Sequence, residues 1–256
     1  MAQRLRMPID EYKPTAGYKN QAYKRKFGIH HFGLDGISTK GNTKLYALGN
    51  GTVIATGLDG TNGVQSGCGY VLVIVYDDCI NNKTYEVADQ TVTYFHLAEQ
   101  PAVKAGQKVN KKTFLGNYGA TGALVTGAHL HIQFDSDTKY PLYCTGIGKK
   151  GHAVLKNGNV DSTENPCDWL WLDEGQKITV SASSWYDEKQ FKNIPSVTAY
   201  KPLQAADKSG INFDKESLKI PHKGAQAACP AQTSRRKPAA RGRRESDRPR
   251  RQIPAR

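Results

Sequence analysis

The chain has 256 residues, a formal net charge of +13 at pH 7, 38% apolar residues, 25 glycines and 12 prolines. That length suits one domain with extensions, and no stretch approaches the roughly 20 apolar residues of a helical membrane span. Short apolar runs among many Gly and Pro argue against a helical bundle and for β structure with frequent turns.

Residues 1–13 are polar and read as an N-terminal arm. Met1 to Asp10 holds no apolar run of the kind a secretory signal uses. From Pro14 the pattern changes to short runs split by Gly and Asn. Tyr46–Leu48 leads into the turn Gly49-Asn50-Gly51 and then the β-branched strand Thr52–Thr56. Tyr70–Tyr76 is the strongest strand signal in the chain. Asp77–Thr84 reads as a loop with a turn at Asn81-Asn82. Thr91–Leu97 is a strand, Val103–Val109 turns around Gly106, and Phe114–Gly116 opens a glycine-rich stretch reaching Gly127. Ala128–Phe134 is a further strand. No helical period of useful length appears before Asp168. Short strands at this regular spacing predict antiparallel hairpins.

Residues 135–172 are loop-rich and end in Trp169-Leu170-Trp171-Leu172, expected to pack back on the domain. The reading in domains is an arm over 1–13, a main domain over 14–172, an extension of unassigned role over 173–228 and a disordered tail over 229–256. Residues 234–256 hold nine Arg and one Lys against two acids, while residues 1–233 hold only Arg4, Arg6 and Arg25 beside their lysines. The tail therefore carries most of the net charge. Such a tail binds polyanions non-specifically with steep salt dependence, and nothing in the body predicts a specific nucleic-acid partner. A mildly basic body suits an acidic polymer weakly. The five cysteines form no CxxC pair, which argues against thiolate zinc sites. Cys68 and Cys79 bracket one strand and sit too far apart to bridge. Cys144 with Cys167 is the pair that spacing favours, the alternative being five free thiols.

Five of the seven histidines fall in three tight contexts: His30-His31-Phe32-Gly33-Leu34-Asp35, Tyr94-Phe95-His96-Leu97 and His129-Leu130-His131. In a strand, residues i and i+2 point to one face, so His129 and His131 project together and can set a metal ligand beside a second catalytic group. His31 and Asp35 would lie about 13 Å apart on a straight strand, so sharing an ion requires a bend, which Gly33 permits. Two His and one Asp with an open fourth position are the composition of a catalytic zinc site. Such an ion lowers the pKa of bound water to about 7 and polarises a carbonyl. Remaining imidazoles have a pKa range suited to proton transfer. A register using His30 instead of His31 would misplace Gly33. His152 and His222 read as exposed, Tyr94 as packing, and Thr121 and Gly122 as turn residues.

The set His31-x-Gly33-x-Asp35, Tyr94-x-His96-Leu97 and His129-x-His131 resembles the lysostaphin-type (LytM-like) zinc metalloendopeptidases. The likeness runs from about Tyr12 to Leu170. Thr15-Ala16-Gly17-Tyr18 resembles the family's opening strand and turn, Gly51-Thr52-Val53 the strand after the first ligand pair, and Asn165-Pro166 the closing segment. The glycines at 106, 116 and 122 resemble the pattern leading to the HxH strand.

The resemblance implies a mostly antiparallel β-sheet groove or sandwich, the duplicated hybrid motif, followed by a loop-rich extension. It implies one Zn2+ per chain held by His31, Asp35 and His131, with His129 as general base or transition-state stabiliser and His96 as its partner. The implied substrate is bacterial peptidoglycan, cut in its stem peptide or cross-bridge, with action outside the cytoplasm by secretion or phage delivery. The alternative is a non-catalytic wall-binding or regulatory module on the same fold. The family's pattern leaves the bond cut and the oligomeric state open. Asp135–Ser162 is longer than the family's usual ending.

Overall fold

In a computed structural model of the chain, residues 1–58, 67–123, 125–139 and 161–198 are described. All fall within one folded unit, Met1–Gln204. In chain order the elements are β1 (Leu5–Arg6), β2 (Glu11–Ala16), α1 (Gln21–Phe27), β3 (Leu34–Ser38), β4 (Lys44–Tyr46), β5 (Gly51–Leu58), β6 (Tyr70–Ile80) and β7 (Val87–Leu97). They continue with β8 (Lys108–Val109), β9 (Phe114–Asn117), β10 (Leu130–Asp135), β11 (Thr163–Glu164), a 3-10 turn at Pro166–Asp168, β12 (Leu170–Trp171), β13 (Lys177–Ile178) and α2 (Glu188–Lys192). No helix among them is long and apolar enough to cross a membrane.

A nine-stranded sheet dominates, in the order β13-β2-β3-β10-β7-β6-β5-β8, with β11 also on β10. Its pairings are antiparallel except β13 with β2. The expected antiparallel β architecture is therefore present. One face carries the main core, including Leu34, Leu72, Ile74, Tyr94, Ile132 and Phe134. The other face carries a smaller cluster of Ala55, Cys68, Val71, Val73 and Phe95. Because β6 is covered on both sides, it reads as a continuous apolar run rather than an alternating one. Tyr94 belongs to the core face, where its hydroxyl lies 2.7 Å from that of Tyr76.

Several expectations change. The arm over residues 1–13 is part of the fold: β1 pairs with β12, and Leu5, Met7, Ile9 and Tyr12 are buried. Alternation at 5, 7 and 9 is a strand-like pattern that the flanking charges disguise. The loop expected from Asp77 is strand as far as Ile80, crossing a register shift between Tyr76 and Cys79. Asp78 takes φ 50° there, so the polar pair sits in a bulge instead of ending the strand.

The third change is α1, a helix before Asp168. Asn20 caps it, its Oδ1 accepting from the Ala22 and Tyr23 N–H groups at 2.9 and 3.0 Å. Such a cap is worth about 1 kcal/mol. Gly28 ends the helix at φ 77°, a conformation glycine adopts without steric cost. None of its seven residues is buried, so it leaves no apolar stripe in the sequence.

The closing segment packs as expected, with Trp169, Leu170 and Trp171 buried and Trp171 Nε1 donating to the Ile80 carbonyl at 3.1 Å. The extension does not stand apart from the domain over residues 173–198. β13 joins β2, and Tyr186, Phe191 and Ile194 enter the main core. Cys167 is a free, buried thiol, which removes the expected Cys144–Cys167 bridge; Cys144 lies outside the described residues, as do His152, His222 and the Arg-rich tail.

Candidate metal centre

Sheet register brings the predicted residues together. Asp35 on β3 pairs across to His131 on β10, which pairs across to Phe95 on β7. The three share one row and one face. Phe95 lies beside the His131 ring, with centroids 5.0 Å apart. His31 reaches the row from the loop before β3, because the chain bends at Gly33. That bend also needs Gly33 to lack a side chain. A Cβ there would run into the Ile132 carbonyl and come within 2.7 Å of His131 Nε2.

The donor atoms converge. His31 Nε2 is 3.0 Å from Asp35 Oδ1, His131 Nδ1 is 2.8 Å from the same oxygen, and the two ring nitrogens are 3.1 Å apart. Side-chain exposures of 3%, 13% and 12% for His31, Asp35 and His131 leave the trio almost enclosed, with an opening on Asp35 and His131. No other His/Cys/Asp/Glu group among the described residues has this convergence. Tetrahedral zinc with ligands at about 2.0–2.2 Å sets donor separations near 3.3–3.6 Å. The trio would open by roughly half an ångström to hold it, and one carboxylate oxygen with two imidazole nitrogens is a donor set zinc accepts. His131 Nε2 is buried and unpaired among the described residues.

The tautomers are fixed by backbone carbonyls, which only accept hydrogen bonds. His31 Nδ1 donates to Gly17 O at 2.9 Å, His96 Nδ1 to Thr121 O at 3.0 Å and His129 Nδ1 to Gly127 O at 2.8 Å. Each neutral ring therefore keeps its lone pair on Nε2. For His31 that lone pair faces the trio. For His129 it lies 3.7 Å from Asp35 Oδ1. His96 neighbours His129 and His131, with centroids 5.0 and 6.2 Å apart. His96 takes φ 60°, and its N–H and carbonyl are held by Cys68 O and Gly119 N.

Electrostatics follow from burial and one charge. Burial opposes ionisation of Asp35, but the charge of His31 and hydrogen bonds from the His131 and His31 imidazoles overcome it, holding the carboxyl well below its usual range. Burial lowers His31, and the Asp35 charge and hydrogen bond more than reverse this, leaving it raised. Burial lowers His131 and is only partly offset by Asp35. Burial, then the neighbouring His131, push His96 down to about 4. The centre is thus an anionic carboxylate among imidazoles whose unprotonated nitrogens suit a cation.

All five predicted site residues, His31, Asp35, His96, His129 and His131, meet in this one place. His30 stays outside the trio, beside Phe32. Sequence reading missed Gly17, Thr121 and Gly127 as the acceptors that set the three rings. Thr121 is more than a turn residue: its hydroxyl also donates to Leu97 O and accepts from Tyr70 N. It also missed Tyr23, whose ring lies 4.6 Å from that of His31.

Among solved structures, the chain is similar to a zinc-containing peptidase from Vibrio cholerae, at 26% identity over 52% of this chain and 37% of that one, TM-score 0.40. It thus spans little more than a third of that protein's length. The catalytic domain of lysostaphin from Staphylococcus simulans matches at 20% identity over 60% of this chain and 89% of that one, TM-score 0.40. A SpoIIQ–SpoIIIAH pore-forming complex matches at 18% identity over 66% and 92%, TM-score 0.42. Residues 30–141, the stretch that contains all five site residues, match the model of peptidase family M23, and over that stretch the chain is similar to that family.

Proposed function

We propose that this protein is a zinc-dependent endopeptidase that hydrolyses peptide bonds of bacterial peptidoglycan outside the cytoplasm. The observation that carries the reading is the convergence of His31, Asp35 and His131 on one point. The similarity of residues 30–141 to peptidase family M23 supports the reaction class.

In this reading His31 Nε2, Asp35 Oδ1 and His131 Nδ1 hold the ion, one per chain. Zinc bound there would polarise the scissile carbonyl and make a water acidic enough to attack it near neutral pH. His129 presents its Nε2 lone pair at the edge of the trio and takes the proton of the attacking water. Gly127 O fixes that tautomer and stabilises the imidazolium that forms. His96, neutral across the working pH range because burial holds its pKa near 4, sits against His129 with its lone pair on Nε2 and serves as the partner of that ring, an uncharged neighbour that favours the imidazolium formed there. Phe95 and the small apolar cluster beside the row keep one side of the centre dry, which strengthens each of these contacts.

The test is digestion of purified sacculi, following release of new amino termini, by wild type and His131→Ala with zinc content measured on both. The expected result is about one zinc per wild-type chain, with fragments released only by wild type. Undiminished release by zinc-free His131→Ala would overturn the reading. Zinc-loaded wild type that binds sacculi and frees no amino groups would assign the chain to a non-catalytic wall-binding role.

A further inference from the structure

His31 is held at both ring nitrogens: Nδ1 donates to Gly17 O, and Nε2 lies 3.0 Å from Asp35 Oδ1, to which it donates when the ring is protonated. Two tethers on opposite sides of a ring still leave it free to swing about the line between them. The Tyr23 ring closes that freedom: it lies over His31 at 4.6 Å and 33°. Tyr23 is in turn held by Phe27 at 4.6 Å and by the edge of Trp185 at 5.9 Å, and Phe27 and Trp185 touch at 5.6 Å.

Trp185 also reaches the other restraint. Its carbonyl accepts the Gly17 N–H at 2.9 Å, so the backbone unit that fixes His31 Nδ1 is itself hung from Trp185. Gly17 lies so close to this segment that a Cβ would come within 2.9 Å of Tyr186 Cβ. The segment is anchored in turn: Tyr186 and Phe191 pack edge to face, centroids 5.3 Å apart, inside the main core. Gly17, Tyr23 and Trp185 all lie outside the family match at residues 30–141.

We propose that Trp185 and Tyr23 are positioning residues for the ligand His31, so that the segment after β13 is a brace on the metal centre rather than an appendage. This rests on the reading of His31, Asp35 and His131 as zinc ligands. Groups that orient a ligand through its second nitrogen commonly set metal affinity by about 10–100-fold.

The test uses the full chain and zinc alone. Zinc dissociation constants are measured by competition with a chromophoric chelator for wild type, Trp185→Ala, Trp185→Phe, Tyr23→Ala and Tyr23→Phe, and the His31 ring nitrogens are followed by NMR. Both Ala variants should bind zinc about 10–100-fold more weakly, with His31 losing its single Nδ1–H tautomer. Both Phe variants should stay close to wild type. Tyr23 lies on a helix that buries none of its residues, so Tyr23→Ala keeps its fold even if Trp185→Ala does not. Tyr23→Ala holding zinc as tightly as wild type would overturn the brace. So would unchanged affinity with a weakened KM alone, which would make the aromatics a substrate wall. Wild type that takes up no zinc would instead remove the ligand reading, and the brace with it.

Discussion

His31 and His131 are 100 positions apart in the chain, and their facing ring nitrogens lie 3.1 Å apart with Asp35 Oδ1 against both. Nothing but a cation or a shared proton makes such a meeting of lone pairs favourable. Asp35 is the charge that holds it together, as the direction of its own shift and that of His31 agree. Asp35→Asn keeps the shape and removes the charge. Zinc affinity should fall by at least about 100-fold, since a neutral amide replaces an anionic ligand. Calorimetric titration of wild type and variant with zinc checks this, and near-native binding by Asp35→Asn would contradict it.

Glycine at 33 and glycine at 28 are required for different reasons, and substitution should separate them. Gly33→Ala drives a methyl into the Ile132 carbonyl and toward the His131 ring. Neither the strand backbone nor the enclosed His131 ring can yield freely, so a destabilisation of about 1–3 kcal/mol and weaker zinc binding are expected together. Gly28→Ala meets nothing within 4 Å and bears only the cost of φ 77°, about 1–2 kcal/mol, with zinc affinity unchanged. Denaturant melts with and without zinc distinguish the two. If Gly28→Ala alone lost metal, the steric account of Gly33 would fail.

The convergence of His31, Asp35 and His131 was legible because a strand places i and i+2 on one face, and because His31-x-Gly33-x-Asp35 and His129-x-His131 are side-chain signatures. What set the rings was not legible. Gly17, Thr121 and Gly127 act through backbone carbonyls, which every residue carries, and only three-dimensional placement singles them out. Tyr23 sits on a helix whose stability comes from its Asn20 cap and Gly28 stop rather than from a buried stripe, so periodicity is silent about it. Residues 5, 7 and 9 had the alternation of a strand, but the charged Arg4, Arg6 and Asp10 around them gave the stretch a polar look. At Asp77-Asp78 the composition of a turn appears inside a strand, because a bulge tolerates it.

On the core face, Tyr76 and Tyr94 share a hydrogen bond between hydroxyls at 2.7 Å, and Leu48 N–H donates to Tyr76 at 3.1 Å. Tyr76→Phe strands two buried groups, the Leu48 N–H and the Tyr94 hydroxyl. Tyr94→Phe strands at most one. Each orphaned group costs about 1–3 kcal/mol, so Tyr76→Phe should be the more destabilising. Zinc affinity should hold in both, since these hydroxyls lie across the sheet from the trio. Urea unfolding gives the order, and equal losses would show that Leu48 finds another acceptor.

Acid should loosen the metal-free protein through His96 in a defined window. Burial, then His131, depress its pKa to about 4 from an ordinary 6.5. Between those values the unfolded chain binds a proton at this site and the folded chain does not. The unfolded state therefore gains as pH falls, and stability present above pH 6.5 is progressively lost down to about 4, then levels off for this group. One such group contributes a slope of up to about 1.4 kcal/mol per pH unit and on the order of 3 kcal/mol across the window. His131, also depressed, adds with the same sign, whereas His31, raised, loses its contribution only as pH rises through its folded pKa. In His96→Gln the group cannot titrate, so the slope between pH 6.5 and 4 should fall by about one proton's worth while the slope from His131 remains. Urea unfolding of chelator-treated protein at closely spaced pH values measures both slopes. Identical slopes in wild type and His96→Gln would mean that His96 protonates as readily folded as unfolded, which its enclosure by Phe95, His129 and His131 argues against.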